Sequence, residues 1–254
     1  MSVPSITRPQ ARGPIGPAGD VALPALENGD RLTREEFERR YHAMPGLKKA
    51  ELIEGEVYMP SPFRHGRHSH PHTRVVTWLG NYETSTLGVE AGDNGSIRLD
   101  LRNEPQPDAY LIILPDRGGQ SRISEDDYIE GAPELVAEVA ASTASYDLGK
   151  KLEAYRRNGV REYLVWRVLD REVDWYVNRG GSFERLRPVD GLLRSEAFPG
   201  LWLDPAALVR GDGATVDAAL RRGLETPGHA EFVARLARDR REPFLPAGGE
   251  AMGD

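Results

Sequence analysis

Hydrophobic positions along the chain change period several times, and each change marks an element. Thr33-Arg34-Glu35-Glu36 has the form of a capping box. Phe37 and Tyr41 follow four apart on one helical face, so the spacing predicts a helix that Pro45-Gly46 ends. Residues 50–59 have the pattern of a hairpin, with Glu51-Leu52-Ile53, a turn at Glu54-Gly55, then Glu56-Val57-Tyr58-Met59. Val75, Val76, Leu79, Tyr82 and Thr86 recur with helical spacing, and Gly88 is expected to close that helix. Ser96–Leu101 alternates, as a half-buried strand should. Ala109–Leu114 and Leu135–Val139 are more uniformly apolar, the pattern of central strands covered on both faces. The charged, Gly- and Ser-rich segment Pro115–Pro133 between them is expected to be a surface loop.

Further on, Asp147–Asn158 predicts a helix capped by Asp147 and ended by Gly159. Arg161–Val168 and Glu172–Asn178 alternate as two strands joined by Leu169-Asp170-Arg171, and Phe183–Arg187 and Leu192–Ser195 have the pattern of edge strands. From Pro205 the composition turns to Ala, Leu and Arg, which predicts two or three short helices over 205–242 and a flexible tail over 243–254. Residues 1–30 carry Pro4, Pro9, Pro14, Pro17 and Pro24 with three glycines interspersed, a composition that buries little and predicts disorder. No internal repeat is visible.

Composition narrows the classes. The chain has 254 residues, enough for one domain with a sizeable core. A formal charge of −7 gives no overall basic footprint for nucleic acid, although a local cationic groove is compatible with it. The absence of cysteine excludes disulfides and thiolate metal sites and fits a reducing, cytoplasmic setting. No apolar run approaches the roughly 20 residues of a membrane span, and the N-terminus lacks the apolar core of a signal peptide.

Two carboxylates and a lysine carry the candidate chemistry. Asp108 follows Gln106-Pro107, so its entry geometry is restricted and its carboxylate stands at the mouth of the apolar strand. A turn aspartate is the plain alternative. The period of two places Glu138 on the same face as Val136 and Ala140. An acid there is costly unless a cation, a proton or a hydrogen-bond partner compensates it, and a structural Glu–Arg pair would also serve. Leu148, Leu152 and Tyr155 define the inward stripe of the following helix. At about 100° per residue, Lys151 flanks that stripe and Lys150 points to solvent. Two hard oxygen ligands and a nearby amine are the parts of a Mg²⁺-dependent phosphodiesterase, with Mn²⁺ as a substitute. His65, His68, His70 and His72 could suggest zinc, but their Gly- and Pro-containing loop is a poor scaffold for it. His72 differs, because it stands at a helix start and could face the cleft.

The ordered set Glu51-Leu-Ile-Glu-Gly-Glu56, Pro60-Ser-Pro62, Gln106-Pro-Asp108, Glu134-Leu-Val-Ala-Glu138-Val and Asp147-Leu-Gly-Lys-Lys-Leu-Glu-Ala-Tyr155 resembles the bacterial Uma-two family of endonucleases. That family belongs to the PD-(D/E)XK, restriction-endonuclease-like superfamily. Arg161-Glu-Tyr-Leu-Val-Trp166 matches its next strand, and the likeness covers roughly residues 32–205. It implies an α/β fold with a mixed central sheet flanked by helices, a nuclease domain over 31–204, and a helical C-terminal extension. It further implies Asp108 and Glu138 as metal ligands together with the Val139 carbonyl, and Lys151 as the third catalytic residue. Glu51 and His72 would be accessory. The superfamily's lysine stands two residues after the second acid, where this chain has Ala140, and Lys151 takes its place from the following helix. Ala140-Ala141-Ser142-Thr143 also departs from the family's Ser-Pro-Ser-Thr. The implied function is a divalent-metal-dependent endonuclease on DNA, binding weakly and with salt sensitivity, as a homodimer. A nuclease on RNA and a non-catalytic module of the same fold are the alternatives.

Overall fold

A computed structural model describes residues 23–59 and 65–240. The chain opens with helix α1 (Arg34–His42), the hairpin β1 (Glu51–Ile53) and β2 (Glu56–Tyr58), and then helix α2 (His70–Thr84). Strands β3 (Val89–Gly92), β4 (Ile97–Arg98) and β5 (Ala109–Ile113) follow, then β6 (Arg122–Ile123), β7 (Ile129–Glu130) and β8 (Leu135–Ala140). Helix α3 (Ala144–Tyr146) passes through a π-helical turn (Asp147–Lys151) into α4 (Leu152–Arg157). Strands β9 (Glu162–Arg167), β10 (Glu172–Arg179), β11 (Ser182–Arg185), β12 (Leu193–Arg194) and β13 (Trp202–Leu203) precede helices α5 (Pro205–Arg210), α6 (Gly213–Leu224) and α7 (Pro227–Arg238).

The main sheet has six strands in the order β11-β10-β9-β8-β5-β3, with β8 and β9 parallel and the other pairs antiparallel. The apolar runs in β5 and β8 occupy its centre because both faces are covered. Leu135, Ala137 and Val139 pack with Trp78 and Leu79 of α2 and with Leu208, Leu220 and Phe232 of the C-terminal helices. Val136 and Ala140, on the other face, pack with Tyr155, Tyr163 and the helix residues Leu148 and Leu152. A separate cluster of Leu26, Phe37, Ala50, Leu52 and Val57 holds α1 against the hairpin.

Several expectations need correction. Residues 23–30, assigned to the disordered leader, are packed: Leu26 is buried and the Gly29 N–H donates to the Val57 carbonyl. Residues 1–22 and 243–254 lie outside the described residues, as does Pro60-Ser-Pro62. Helix α2 ends at Thr84, and Gly88, at φ +95°, leads into β3. Pro115–Pro133 contains β6 and β7, which join β4 in a three-stranded sheet. Residues 192–195 pair with β13 and not with the main sheet. The C-terminal helices share the sheet's principal core.

Candidate active site

Asp108 and Glu138 meet because of strand register. Ala109 pairs with Ala137 in the antiparallel β5–β8 ladder. One further step sets Asp108 opposite Glu138, with both side chains on one face. The Asp108 Oδ2 accepts the Val139 N–H at 2.8 Å, which takes over from the ladder at the strand mouth. Lys151 arrives from the π turn. Its Nζ lies 2.7 Å from Glu138 Oε1 and 2.8 Å from Glu51 Oε1 of the hairpin. Glu51 Oε1 also accepts the Gln106 N–H at 2.8 Å. Tyr155, one turn beyond Lys151, donates its hydroxyl to Glu138 Oε1 at 3.0 Å. Lys150 points outward to Glu56 and Tyr58.

Asp147 was expected to cap a helix. The helix starts three residues earlier, and Asp147 falls inside the π turn, where its carboxylate accepts the Thr143 hydroxyl at 2.6 Å. The wider turn sets Asp147 and Lys151 on one face, so a fourth acid joins the cluster.

Electrostatics follow from burial. Glu51, Asp108, Glu138, Asp147 and Lys151 are each no more than 6% exposed. Burial is the largest influence on Glu138 and raises its pKa; Lys151 opposes this, while Asp108, Asp147 and Glu51 reinforce it. Burial also pushes Asp147 up to about 6 against the pull of Lys151. For Lys151, burial alone would lower the pKa, but Glu138, Glu51 and Asp147 outweigh it, so the ammonium is retained. Four carboxylates around one buried ammonium leave surplus negative charge, which a proton on Glu138 or an added cation relieves.

The donor chemistry, carboxylate oxygens beside a strand-end carbonyl, is of the kind that suits a hard divalent ion. Tyr146 supplies a second sign, because its hydroxyl is buried without a hydrogen-bond partner among the described residues, close to Glu51, Lys151 and Glu138. No three His, Cys, Asp or Glu side chains among the described residues converge closely enough to hold an ion alone. Backbone and water ligands would complete the shell, as is usual for Mg²⁺.

The histidine loop is folded into this centre. The His72 Nε2 donates to the Asp108 carbonyl at 2.8 Å and stands 3.8 Å from Asp93 Oδ2. His68, one turn earlier and stacked on His72, reaches further in: Nδ1 is 3.1 Å from the Val139 carbonyl and Nε2 is 3.5 Å from Asp108 Oδ1. Burial lowers the His68 pKa, and Asp108 opposes that shift. The Lys49 Nζ also faces Asp108 Oδ1, at 3.4 Å. The Val139 carbonyl, expected to face a metal, is thus engaged by His68. Sequence reasoning missed His68, Asp147, Tyr155 and Lys49 as members of the cluster. The four-residue spacings His68–His72, Asp147–Lys151 and Lys151–Tyr155 were the available signal.

The family model described as "Uma2: Putative restriction endonuclease" matches residues 34–206, more than half of the chain. The chain belongs to the Uma2 family. The crystal structure of a "putative nuclease belonging to DUF820" from Anabaena variabilis superposes on this chain with a TM-score of 0.54 at 17% identity. It covers 70% of this chain and 99% of that one. At that identity the likeness bears on fold alone, and it supports the nuclease-like α/β architecture seen here. No curated protein matches. The Uma2 match includes all five members of the buried cluster and ends at the start of α5. No helix among the described residues is long and apolar enough to cross a membrane.

Proposed function

We propose that this Uma2 protein is a divalent-metal-dependent endonuclease that hydrolyses phosphodiester bonds in DNA. The observation carrying this reading is the buried convergence of Asp108, Glu138 and Lys151, from two central strands and the following helix, in a chain of a nuclease family. Asp108 and Glu138 would hold the ion, Mg²⁺ or Mn²⁺, which supplies Lewis-acid charge at the scissile phosphate. Lys151 keeps its proton and presents positive charge where negative charge develops on the phosphate. Glu51 and Tyr155 fix that geometry by accepting from Lys151 and donating to Glu138. His72 anchors α2 to the backbone at Asp108. The buried hydroxyl of Tyr146 is left to bind an interior water.

A second reading draws on the tight pairing of Lys151 with Glu51 and Glu138, which is also what a purely structural ion cluster would show. Under it the fold serves as a non-catalytic binding module. Incubating the protein with matched single-stranded DNA, duplex DNA and RNA, in Mg²⁺ or Mn²⁺ and then in EDTA, separates the readings. Metal-dependent cleavage of DNA supports the nuclease, cleavage of RNA alone reassigns its substrate, and intact substrates in every lane favour the module.

A further inference from the structure

Arg74 on α2 is left without an acid. The side chain is half-buried, its Nε wholly so, and the guanidinium makes no hydrogen bond or ion pair among the described residues. Buried donors are normally paired, and leaving one unmet is costly. Arg74 lies in a groove of about 490 Å³ between α2 and α6. A Cβ on Gly213 would stand 3.0 Å from its Nη1. Trp78, Leu208 and Leu220 give the groove an apolar floor. The acids nearby are committed elsewhere. Asp217 pairs with Arg221 at 2.7 Å and accepts from Asn81 at 3.5 Å. Asp212 caps α6 by accepting the Thr215 N–H at 3.1 Å and its hydroxyl at 2.7 Å, and Arg74 and Arg210 act on it only through space. His70 is the remaining titratable group on the lining. An apolar floor beside one unanswered guanidinium is complementary to a sugar–phosphate unit, whose phosphate takes the forked N–H groups while the sugar covers the floor.

Position favours a nucleic-acid strand over other anions. His72 and Arg74 are two residues apart, hence about 200° apart around α2. His72 faces the buried centre, where it donates to the Asp108 carbonyl, so Arg74 faces the opposite flank. A helix with its side chains is about 10–12 Å across, and a duplex strand carries a phosphate about every 3.4 Å along its axis. A strand laid over the start of α2 therefore passes from the centre to the groove within about three nucleotides. We propose that the groove between α2 and α6 binds a backbone phosphate of the nucleic acid, a few nucleotides from the scissile bond, with Arg74 as its ligand. This rests on the nuclease reading above and adds to it the path of the strand.

Anisotropy of a fluorescein-labelled DNA duplex, titrated with the full-length protein in EDTA, reads binding with cleavage switched off. Arg74→Ala and Arg74→Gln should each weaken binding on the order of tenfold and reduce the slope of log K against log salt by about one. The loss should be the same on duplexes of unrelated sequence, as a phosphate contact requires. Arg74→Lys should regain most of the slope and less of the affinity. Arg122→Ala, at an exposed arginine of β6, should change neither. Circular dichroism checks that the variants remain folded. Wild-type affinity and slope in both Arg74→Ala and Arg74→Gln would overturn the inference and leave the nuclease reading to the cleavage assay. Arg74-dependent binding of polyglutamate in place of DNA would overturn it in favour of an acidic peptide. A wild-type chain that binds no duplex even at low salt would overturn the inference and the DNA reading together.

Discussion

Four buried carboxylates face one buried ammonium, Lys151 Nζ, and the partly exposed Lys49 Nζ at Asp108, so the acids outnumber the ammonium groups, and the chemistry of the centre depends on that imbalance. Glu138 is the acid most exposed to it. Its folded-state pKa is raised, so the native chain binds a proton there that the unfolded chain releases as pH rises above the ordinary carboxylate value. Stability from this residue therefore falls as pH rises. In EDTA, Glu138→Gln should match or exceed wild-type stability at pH 8 while losing metal-dependent cleavage by about a hundredfold or more. Thermal melts and cleavage assays on one preparation check both; a variant that is destabilised at pH 8 would contradict the charge account. Asp108 and Glu138 were legible because an acid inside an apolar run has few explanations. His68 was not, because nothing in a Gly-containing histidine loop says which ring turns inward.

Elements carry those residues into place, and two of their joints can be tested. Glu104 pairs by backbone with Leu52 of β1, and its carboxylate is buried without a hydrogen-bond partner among the described residues, under the influence of Glu38 on α1. Burial is the main cause of a pKa pushed from 4.5 up to about 9. Below about 4.5 both folded and unfolded chains are protonated there; between 4.5 and 9 only the folded chain is, so stability drains away as pH climbs. Glu104→Gln should leave the melting temperature at pH 4.5 nearly unchanged and raise it progressively toward pH 9; a gain that is equal at all pH values would refute this. The second joint is α6 against the loop before β13. A Cβ on Gly223 would sit 2.1 Å from the Gly200 carbonyl oxygen and 2.8 Å from Trp202 Cγ. Gly223→Ala should cost roughly 1–3 kcal/mol by overpacking, read as a lower urea midpoint. No change would mean that the helix is loosely held. Strand periods were visible in the sequence for every strand of the main sheet except β3, whose four residues after Gly88 are too short a run to set a period of their own. The π turn was not, since one extra residue per turn leaves no trace in a stretch as short as Asp147–Lys151, and the short strands β6 and β7 were hidden in a polar segment.

At the scale of the whole molecule, the net charge of −7 sets the terms for binding a polyanion. Affinity has to come from local cations and should fall steeply between 50 and 200 mM salt. A dimer would place two such centres on the two strands of a duplex, so sedimentation at micromolar concentration should show a homodimer, and a monomer would rule that arrangement out. Fold class was legible from the order of elements and from the family resemblance. The full extent of the core was not: residues 23–30 and the helices from Pro205 onward contribute buried side chains that their Pro-rich and Ala/Leu/Arg-rich compositions did not announce.

Cleavage of supercoiled plasmid by the purified chain is the most direct measurement of the central claim. Nicked or linear product should form with Mg²⁺ or Mn²⁺, disappear with EDTA, and disappear with Asp108→Asn and with Lys151→Met. Intact plasmid with either ion and a folded wild-type protein, or cleavage that survives both substitutions, would contradict the assignment of Asp108, Glu138 and Lys151 as the catalytic centre.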